Sequence, residues 1–384
     1  MDKKDRLKLL YKKLLENESL TKTELADKLD LSLTAISDYI NELVESGWII
    51  PRKKADSSGG RRAVIYQINP EIKYIIALDL KDSHFYIFIS DLKSNLIKSK
   101  IYYLDNYDFK NYVSEIIKVA KALLADLEIG IEKILAFGIS ISGITDFENK
   151  IVKRSNQLNW TDKALAQAIE KQLKIPVFVE TDVRVYAYNE LEAEDKNNIT
   201  VVLYIGEGIG LSLIVRNKIL QGYTNRVGDN RFFGKELENL NYIIRNDQYI
   251  KEINDLPYYS KNFEQQTIKK LNKKYKEFIS QNQKNRQEIN DFTDYIASMM
   301  LSTINLLNPK KVLLTGNVFD YNDLIYNQVK AKISEGEMYH LPQIKRNDHS
   351  QNPLEKALLS FLMHKFFEID DFDFTKEKLD DFRQ

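Results

Sequence analysis

The stretch "LTKTELADKLDLSLTAISDYINELVESG" at residues 20–47 leaves its backbone few choices. Thr21 and Glu24 form a T-x-x-E capping box, in which hydroxyl and carboxylate each satisfy an orphan amide at a helix start. Leu20 and Leu25 stand at the two ends of a hydrophobic staple, so a short helix starts near Lys22 with Leu25, Ala26 and Leu29 turned inward. Asp30 and Leu31 leave room only for a tight turn before Ser32 caps a third helix, whose Ile36, Ile40, Leu43 and Val44 share one face. Gly47 stops it. Upstream, Leu7, Leu10, Leu14 and Leu15 recur at helical spacing and predict a helix over about residues 5–16.

Three helices with a very short turn between the last two describe a helix-turn-helix, although a small helical bundle without a ligand has the same pattern. In the DNA-reading version, the first turns of the last helix enter the major groove. That segment exposes Thr34, Ala35, Ser37 and Asp38, which are small or polar as insertion into a groove requires.

The next segment favours the DNA-reading version. "WIIPRKK" and "RRAVIYQIN" are rich in Ile, Val and Tyr, and "ADSSGG" between them carries the turn residues of a hairpin. A hairpin behind the third helix makes a winged helix. Between Gly47 and Pro70, five basic residues (Arg52, Lys53, Lys54, Arg61, Arg62) face one acidic residue, Asp56, a local charge of +4. Gly59 and Gly60 let the tip bend, and Arg61 and Arg62 beside them suit phosphates or the minor groove. The plain alternative is a solvated charged hairpin.

Bulk composition gives that local charge its meaning. The chain has 56 basic and 56 acidic residues, so its net charge is zero and any polyanion-binding surface has to be local. Its 384 residues are enough for two or three domains. Cysteine is absent, which excludes disulfides, thiolate catalysis and cysteine-ligated zinc. His84, His340, His349 and His364 show no metal-ligand spacing, so no metal is expected. No apolar run reaches the ~18 residues of a membrane helix, and "MDKKDRLKLLYKKLLENES" lacks a signal-peptide core. Both point to the cytoplasm and away from a membrane.

From residue 70 on, "YIIALDLKDSHFYIFISDLKSNLIKSKIYYL" reads as three strands in a meander. A helix carrying Val113, Ile116, Ile117, Ala120 and Leu124 follows, then a buried strand, "KILAFGISISG". This β-β-β-α-β order opens each half of the actin and sugar-kinase fold. A second round starts at "NNITVVLYIGEGIGLSLIVRNKILQG", and "DYIASMMLSTINLLNPKKVLLTGNVF" reads as a helix running into a strand that ends at Gly316. Residues 235–290 are polar and helical in tendency without evident chemistry, and the acidic tail "EIDDFDFTKEKLDDFRQ" reads as peripheral.

With these features in this order, the chain resembles a repressor of the ROK family (repressors, open reading frames and kinases) over nearly its whole length. The likeness rests on "SGGRR", on "GISISGITDFENKIVKRSNQLNW" for the family's G-x-x-x-x-G…S-P-N-x-x-W region, and on "PVFVETD" for P-V-x-x-E-N-D. "GEGIG" matches G-T-G-I-G, "VGDNRF" matches A-G-E-x-G-H, and "INLLNPKKVLLTGN" matches the late helix-strand-glycine segment. The resemblance implies an α/β chain with an N-terminal winged helix-turn-helix (1–70) and a two-lobed actin-like ATPase and sugar-kinase (ribonuclease H-like) fold. Lobe 1 spans 71–198; lobe 2, with a helical insertion and the acidic tail, spans 199–384. It also implies a sequence-specific transcriptional regulator, most simply a repressor, of carbohydrate-metabolism genes. Its partners would be operator DNA and a sugar or sugar phosphate effector, and it would form a homodimer or homotetramer. The effector would shift the population between two spacings of the DNA-binding heads.

For the sugar site the resemblance implies Asn156, Asp182 and Asp229. In family kinases the aspartate of E-N-D, here Asp182, deprotonates the sugar hydroxyl. The same carboxylate can accept hydrogen bonds without phosphate transfer, and Thr181 or Asp182 can cap the helix that follows. Asn156 stands where the family contacts sugar hydroxyls, with Gln157 or Asn159 as substitutes if the loop is shifted, or it is a turn residue. Asp229 replaces a glutamate.

The kinase loops are not kept. D-x-G-G-T becomes Asp79-Leu80-Lys81-Asp82-Ser83, without glycine, so side chains obstruct the close approach of phosphate. Glu207 replaces a threonine in the second phosphate loop and would repel phosphate, which makes Gly206, Gly208 and Gly210 a hairpin turn rather than a nucleotide cradle. Phe232 replaces the zinc-binding histidine. The expectation is a protein that is not an enzyme and carries no cofactor and no metal. The alternative is a ROK-type sugar kinase with an N-terminal extension. In the third helix, Asp38 stands where relatives often carry a basic residue, and it can accept from cytosine N4.

Overall fold

The computed structural model describes residues 3–53, 64–104, 108–146, 148–191, 198–206, 208–228, 265–281, 283–336, 340–347, 353–368 and 374. They fall into two compact units, one formed by 1–139, 163–179 and 361–384, the other by 140–162 and 180–360.

The first unit begins with α1 (Lys3–Glu16), β1 (Leu20–Thr21), α2 (Lys22–Leu29) and α3 (Leu33–Glu45). The capping box is formed: Thr21 Oγ1 accepts from the Glu24 amide at 3.2 Å, and Glu24 Oε2 accepts from the Thr21 amide at 2.7 Å. Asp30 turns the chain in the left-handed region (φ 51°), Ser32 Oγ accepts from the Ala35 amide, and Gly47 ends α3 with φ 80°. Ile36, Tyr39, Ile40 and Leu43 are buried, while Val44 is half-buried. β2 (Ile49–Lys53) and β3 (Val64–Ile68) pair antiparallel as a wing, and β1 adds to the other edge of β3. The wing tip, with Arg61 and Arg62, lies outside the described residues.

Beyond the wing stand β4 (Tyr74–Leu80), β5 (His84–Asp91), β6 (Leu96–Tyr103), α4 (Phe109–Asp126), β7 (Ile134–Ile141), α5 (Leu165–Leu173) and β11 (Val177–Thr181). Their strands form one sheet in the order β11-β7-β4-β5-β6. β4 and β5 are buried along both faces, which is why they read as near-continuous apolar runs, whereas the edge strand β6 is partly exposed. The last helix, α11 (Pro353–Phe367), brings Leu362 against Gly138 of β7, where an added Cβ would lie 2.8 Å from Leu362 Cγ.

The acidic tail is not wholly peripheral. Phe374 is buried against Tyr11, Trp48 and Phe367, with ring centroids 5.2, 5.2 and 5.8 Å away. Burial of the ring in this aromatic cluster removes its apolar surface from water.

The second unit carries a small sheet of β8 (Ile144–Asp146), β9 (Ile151–Ser155) and β10 (Trp160–Lys163), then α6 (Asp182–Tyr188). β12 (Ile199–Ile205), β13 (Ile209–Val215) and β14 (Lys218–Ile219) form a meander. Helices α7 (Gln265–Gln281) and α8 (Gln283–Leu307) lead to β15 (Lys311–Thr315), α9 (Asn317–Asp320), α10 (Asp323–Ser334) and β16 (Gln343–Arg346). β12 pairs parallel with β15 (Val201 opposite Val312) and β15 with β16, giving the order β14-β13-β12-β15-β16. This repeats the first sheet's order of a meander followed by two strands reached through helices, the architecture of an actin-like pair of halves.

Candidate DNA-reading surface and effector site

On α3 the buried face anchors the helix and the opposite face is turned outward. Thr34 and Asp38 are exposed, and Ala35 and Ser37 are half-buried. Ser37 Oγ accepts from Lys22 Nζ at 3.3 Å, and the same ammonium stands 5.9 Å from the Tyr66 ring centroid. Lys22 thus ties α2, α3 and the wing strand β3 together. Leu33, the first residue of α3, is also exposed, which the usual place of leucine in a core does not suggest.

Two of the three effector candidates, Asp182 and Asn156, belong to segments that flank Gly143. Thr181 is the N-cap residue of α6 without a side-chain cap; its hydroxyl donates instead to the Gly143 carbonyl at 2.9 Å. Asp182 Oδ1 accepts from the Val183 amide at 2.8 Å and from the Thr181 hydroxyl at 3.3 Å, so this carboxylate is fastened at the helix start. Gly143 has φ 152°, and an added Cβ would meet the Arg154 carbonyl at 2.3 Å. The glycine therefore stands between the start of α6 and the chain just before Asn156. Asn156 is exposed, its Oδ1 accepts from Arg154 Nε at 2.8 Å, and its carbonyl accepts from the Asn159 amide at 3.4 Å. It is a turn residue whose amide group reaches solvent. Asp229 lies outside the described residues, as do Glu207 and Phe232.

Behind Asp182 stands a buried network that no sequence motif signals. Glu180 is fully buried, and its Oε1 accepts from Thr145 Oγ1 and the Thr181 amide, both at 2.7 Å. Arg184, also buried, pairs with that oxygen at 3.4 Å.

At the first phosphate-loop position, Lys81 Nζ lies 3.1 Å from Asp79 Oδ2, and both side chains are buried. The turn is closed by Lys81 N–H donating to the His84 carbonyl, and Tyr112 Oη donates to the carbonyls of Lys81 and Asp82. At the second, β12 and β13 meet as a hairpin with Ile205 opposite Ile209 and the Gly206 amide bonded to the Gly208 carbonyl. Gly210 lies within β13, where an added Cβ would come 2.9 Å from Val183 of α6.

The zinc that the resemblance implies does not fit. The chain has no cysteine to supply a thiolate, and among the described residues no group of three or more His, Asp or Glu could hold a metal ion. Among those residues, no helix is long and apolar enough to cross a membrane.

Residues 75–229 match the ROK family, and residues 1–50 match the winged helix-turn-helix DNA-binding family. The chain is 23% identical over 348 residues to the xylose repressor of Bacillus subtilis, covering 86% of this chain and 87% of that one. It is 24% identical over 230 residues to the xylose repressor of Caldicellulosiruptor bescii, spanning 58% of this chain and only 56% of the relative. A crystal structure of a ROK family transcriptional regulator, a homolog of E. coli MLC protein, superposes with a TM-score of 0.68 at 18% identity, covering 95% of this chain and 98% of that one. The chain therefore carries a ROK family domain behind an N-terminal winged helix-turn-helix.

Proposed function

We propose that the chain is a sequence-specific DNA-binding repressor of carbohydrate-metabolism genes whose ROK domain binds a sugar or sugar phosphate and transfers no phosphate. One observation carries the reading: a winged helix with an outward-facing reading helix is joined to a ROK domain whose first phosphate-loop position is occupied by the Lys81–Asp79 ion pair. Thr34, Ala35, Ser37 and Asp38 read the major groove, with Asp38 accepting from cytosine N4, and Arg61 and Arg62 hold phosphates or the minor groove. Asp182 and Asn156, together with Asp229, accept and donate to effector hydroxyls. The protein works as a homodimer or homotetramer in the cytoplasm, two heads spanning half-sites, and the effector shifts the population between head spacings.

A sugar kinase is the second reading, favoured by Asp182 at the position of the family's catalytic base. The ammonium of Lys81 on Asp79 opposes it, as this carboxylate is already neutralised within the protein.

The test is binding of the full chain to its own upstream DNA at fixed salt, with and without D-xylose, N-acetylglucosamine, D-glucose and their phosphates. Specific binding altered by one of these sugars is the expected result. Specific binding indifferent to all of them removes the effector role, and binding no tighter than to competitor DNA removes the repressor role. ATP-dependent phosphorylation of any panel sugar would establish the kinase reading instead.

A further inference from the structure

We infer that Lys22 sets the hydrogen-bonding polarity of Ser37, so that Ser37 reads guanine in the operator: the ammonium occupies the hydroxyl oxygen, and the hydroxyl proton is left to donate to the O6/N7 edge. The inference rests on the reading of α3 as the helix that enters the major groove. A serine hydroxyl by itself tells no base apart, since its O–H rotates to donate or accept as the partner requires. In this chain the rotation is biased. Lys22 Nζ donates to Ser37 Oγ at 3.3 Å. A hydroxyl proton turned towards that ammonium would meet a positive charge, so it points away. The usual receiver of such a proton is the carbonyl four residues back on the same helix. Thr293 and Thr303 of α8 donate in that way, to the Ile289 and Met299 carbonyls at 3.1 and 2.9 Å. Among the described residues Ser37 makes no such bond, and Lys22 is the partner of its hydroxyl.

The ammonium itself stands on a fixed frame. Lys22 is the first residue of α2, directly behind Thr21, whose capping box with Glu24 sets the helix start and which lies opposite Ile65 of β3. Its Nζ is 5.9 Å from the Tyr66 ring centroid, within reach of a cation–π attraction. Tyr66 is buried in the middle strand of the small sheet, opposite Leu20 on one side and Pro51 on the other. Helix cap, strand pairing and ring therefore hold the cation at one place beside α3.

Base edges sort by this polarity. A donor selects guanine, adenine or thymine, which present acceptors in the major groove, against cytosine, which presents its N4 amino group. The neighbouring ammonium narrows the choice further. Guanine places two acceptors, N7 and O6, side by side, whereas adenine sets an amino donor beside N7 and thymine a methyl group beside O4. Asp38, next along α3 and exposed, can only accept when ionised. Adjacent positions of the reading helix thus carry opposite polarity, and a site with the two bases exchanged would set donor against donor and acceptor against acceptor.

The experiment selects binding sites from randomised duplex DNA at fixed salt with the full chain as wild type, Ser37→Ala, Lys22→Met and Lys22→Arg. Affinities are then measured on the selected site and on the same site with single base pairs changed. Wild type is expected to prefer guanine over cytosine by about tenfold at one position, the scale of a single mismatched pair. Ser37→Ala should lose the preference at that position alone, and Lys22→Met should lose most of it. Lys22→Arg keeps a cationic donor and should retain it. A position that depends on Ser37 but prefers any base other than guanine overturns the assigned polarity. A guanine preference that survives Lys22→Met overturns the part given to Lys22, and one that survives Ser37→Ala overturns that of Ser37. If wild type selects no common sequence, the groove-reading role of α3 falls, and this inference falls with it.

Discussion

The indole N–H of Trp48 donates to the main-chain oxygen of Phe374 at 3.2 Å, joining the turn behind α3 to a residue 326 positions away. The two rings meet edge-on at 88°, and Tyr11 of α1 closes the cluster 5.7 Å from Trp48. Phe374 therefore takes part in the core of the winged helix. Phe374→Ala is expected to cost about 3 kcal/mol, the usual scale for losing a buried aromatic ring. Trp48 and Trp160 are the two tryptophans, so in a Trp160→Phe background the emission reports on Trp48 alone. A red-shifted Trp48 emission and a lowered Tm are expected; an unchanged spectrum and Tm would show that the contact contributes nothing.

A second prediction concerns the pair at the phosphate-loop position. Lys81→Met leaves Asp79 buried without its cation and is expected to cost about 3–5 kcal/mol, as breaking one partner of a buried pair does. The double variant Asp79→Asn/Lys81→Met is expected to recover most of that loss. Urea denaturation of the two variants checks this, and equal stability losses in single and double variants would mean that the charge on Asp79 is not what Lys81 serves.

Local chemistry made some of this fold legible and left other parts hidden. Thr21, Glu24, Ser32 and Gly47 act within three or four residues of where they sit, so α2 and α3 could be placed from their neighbours alone. The meander and its repeat were visible because β4, β5 and β12 are apolar on both faces. β1 is two residues long and exists only because β3 lies beside it, a partner that spacing cannot reveal. Phe374 sits in an acidic run whose average polarity hides one buried ring. At the candidate effector site, Asp182 had a motif around it, whereas Arg184 depends on a carbonyl 41 positions away.

Alkaline pH supplies a further prediction. Burial pushes the hydroxyl of Tyr275 up to about 12 from its ordinary 10.0, and the hydroxyl donates to Gln328 Oε1 at 2.7 Å. A raised pKa means that the folded state holds the proton more tightly than the unfolded chain. The stabilisation is complete below pH 10 and is lost as pH rises through about 12. Tyr275→Phe is expected to lower stability near neutrality by about 1 kcal/mol through the lost hydrogen bond, and to flatten the decline between those pH values. Denaturation midpoints at several pH values decide it: a variant curve parallel to wild type would exclude Tyr275 as the titrating group.

The wing makes the last prediction. Arg61 and Arg62 belong to a segment of charge +4 in a chain of zero net charge, so their contribution to DNA binding is expected to be electrostatic and sequence-independent. Each phosphate contact released by substitution lowers the steepness of log K against log salt by about 1, so Arg61→Ala/Arg62→Ala should reduce the slope by about 2. Affinity for operator and competitor DNA should fall together if both arginines meet phosphates. If one enters the minor groove, the loss should instead be larger on operators with a narrow A·T tract, where the negative potential is strongest. Titrations at several salt concentrations on both DNAs separate the two. An unaltered slope with unaltered affinity would mean that the arginines do not touch DNA and that the wing is a solvated hairpin.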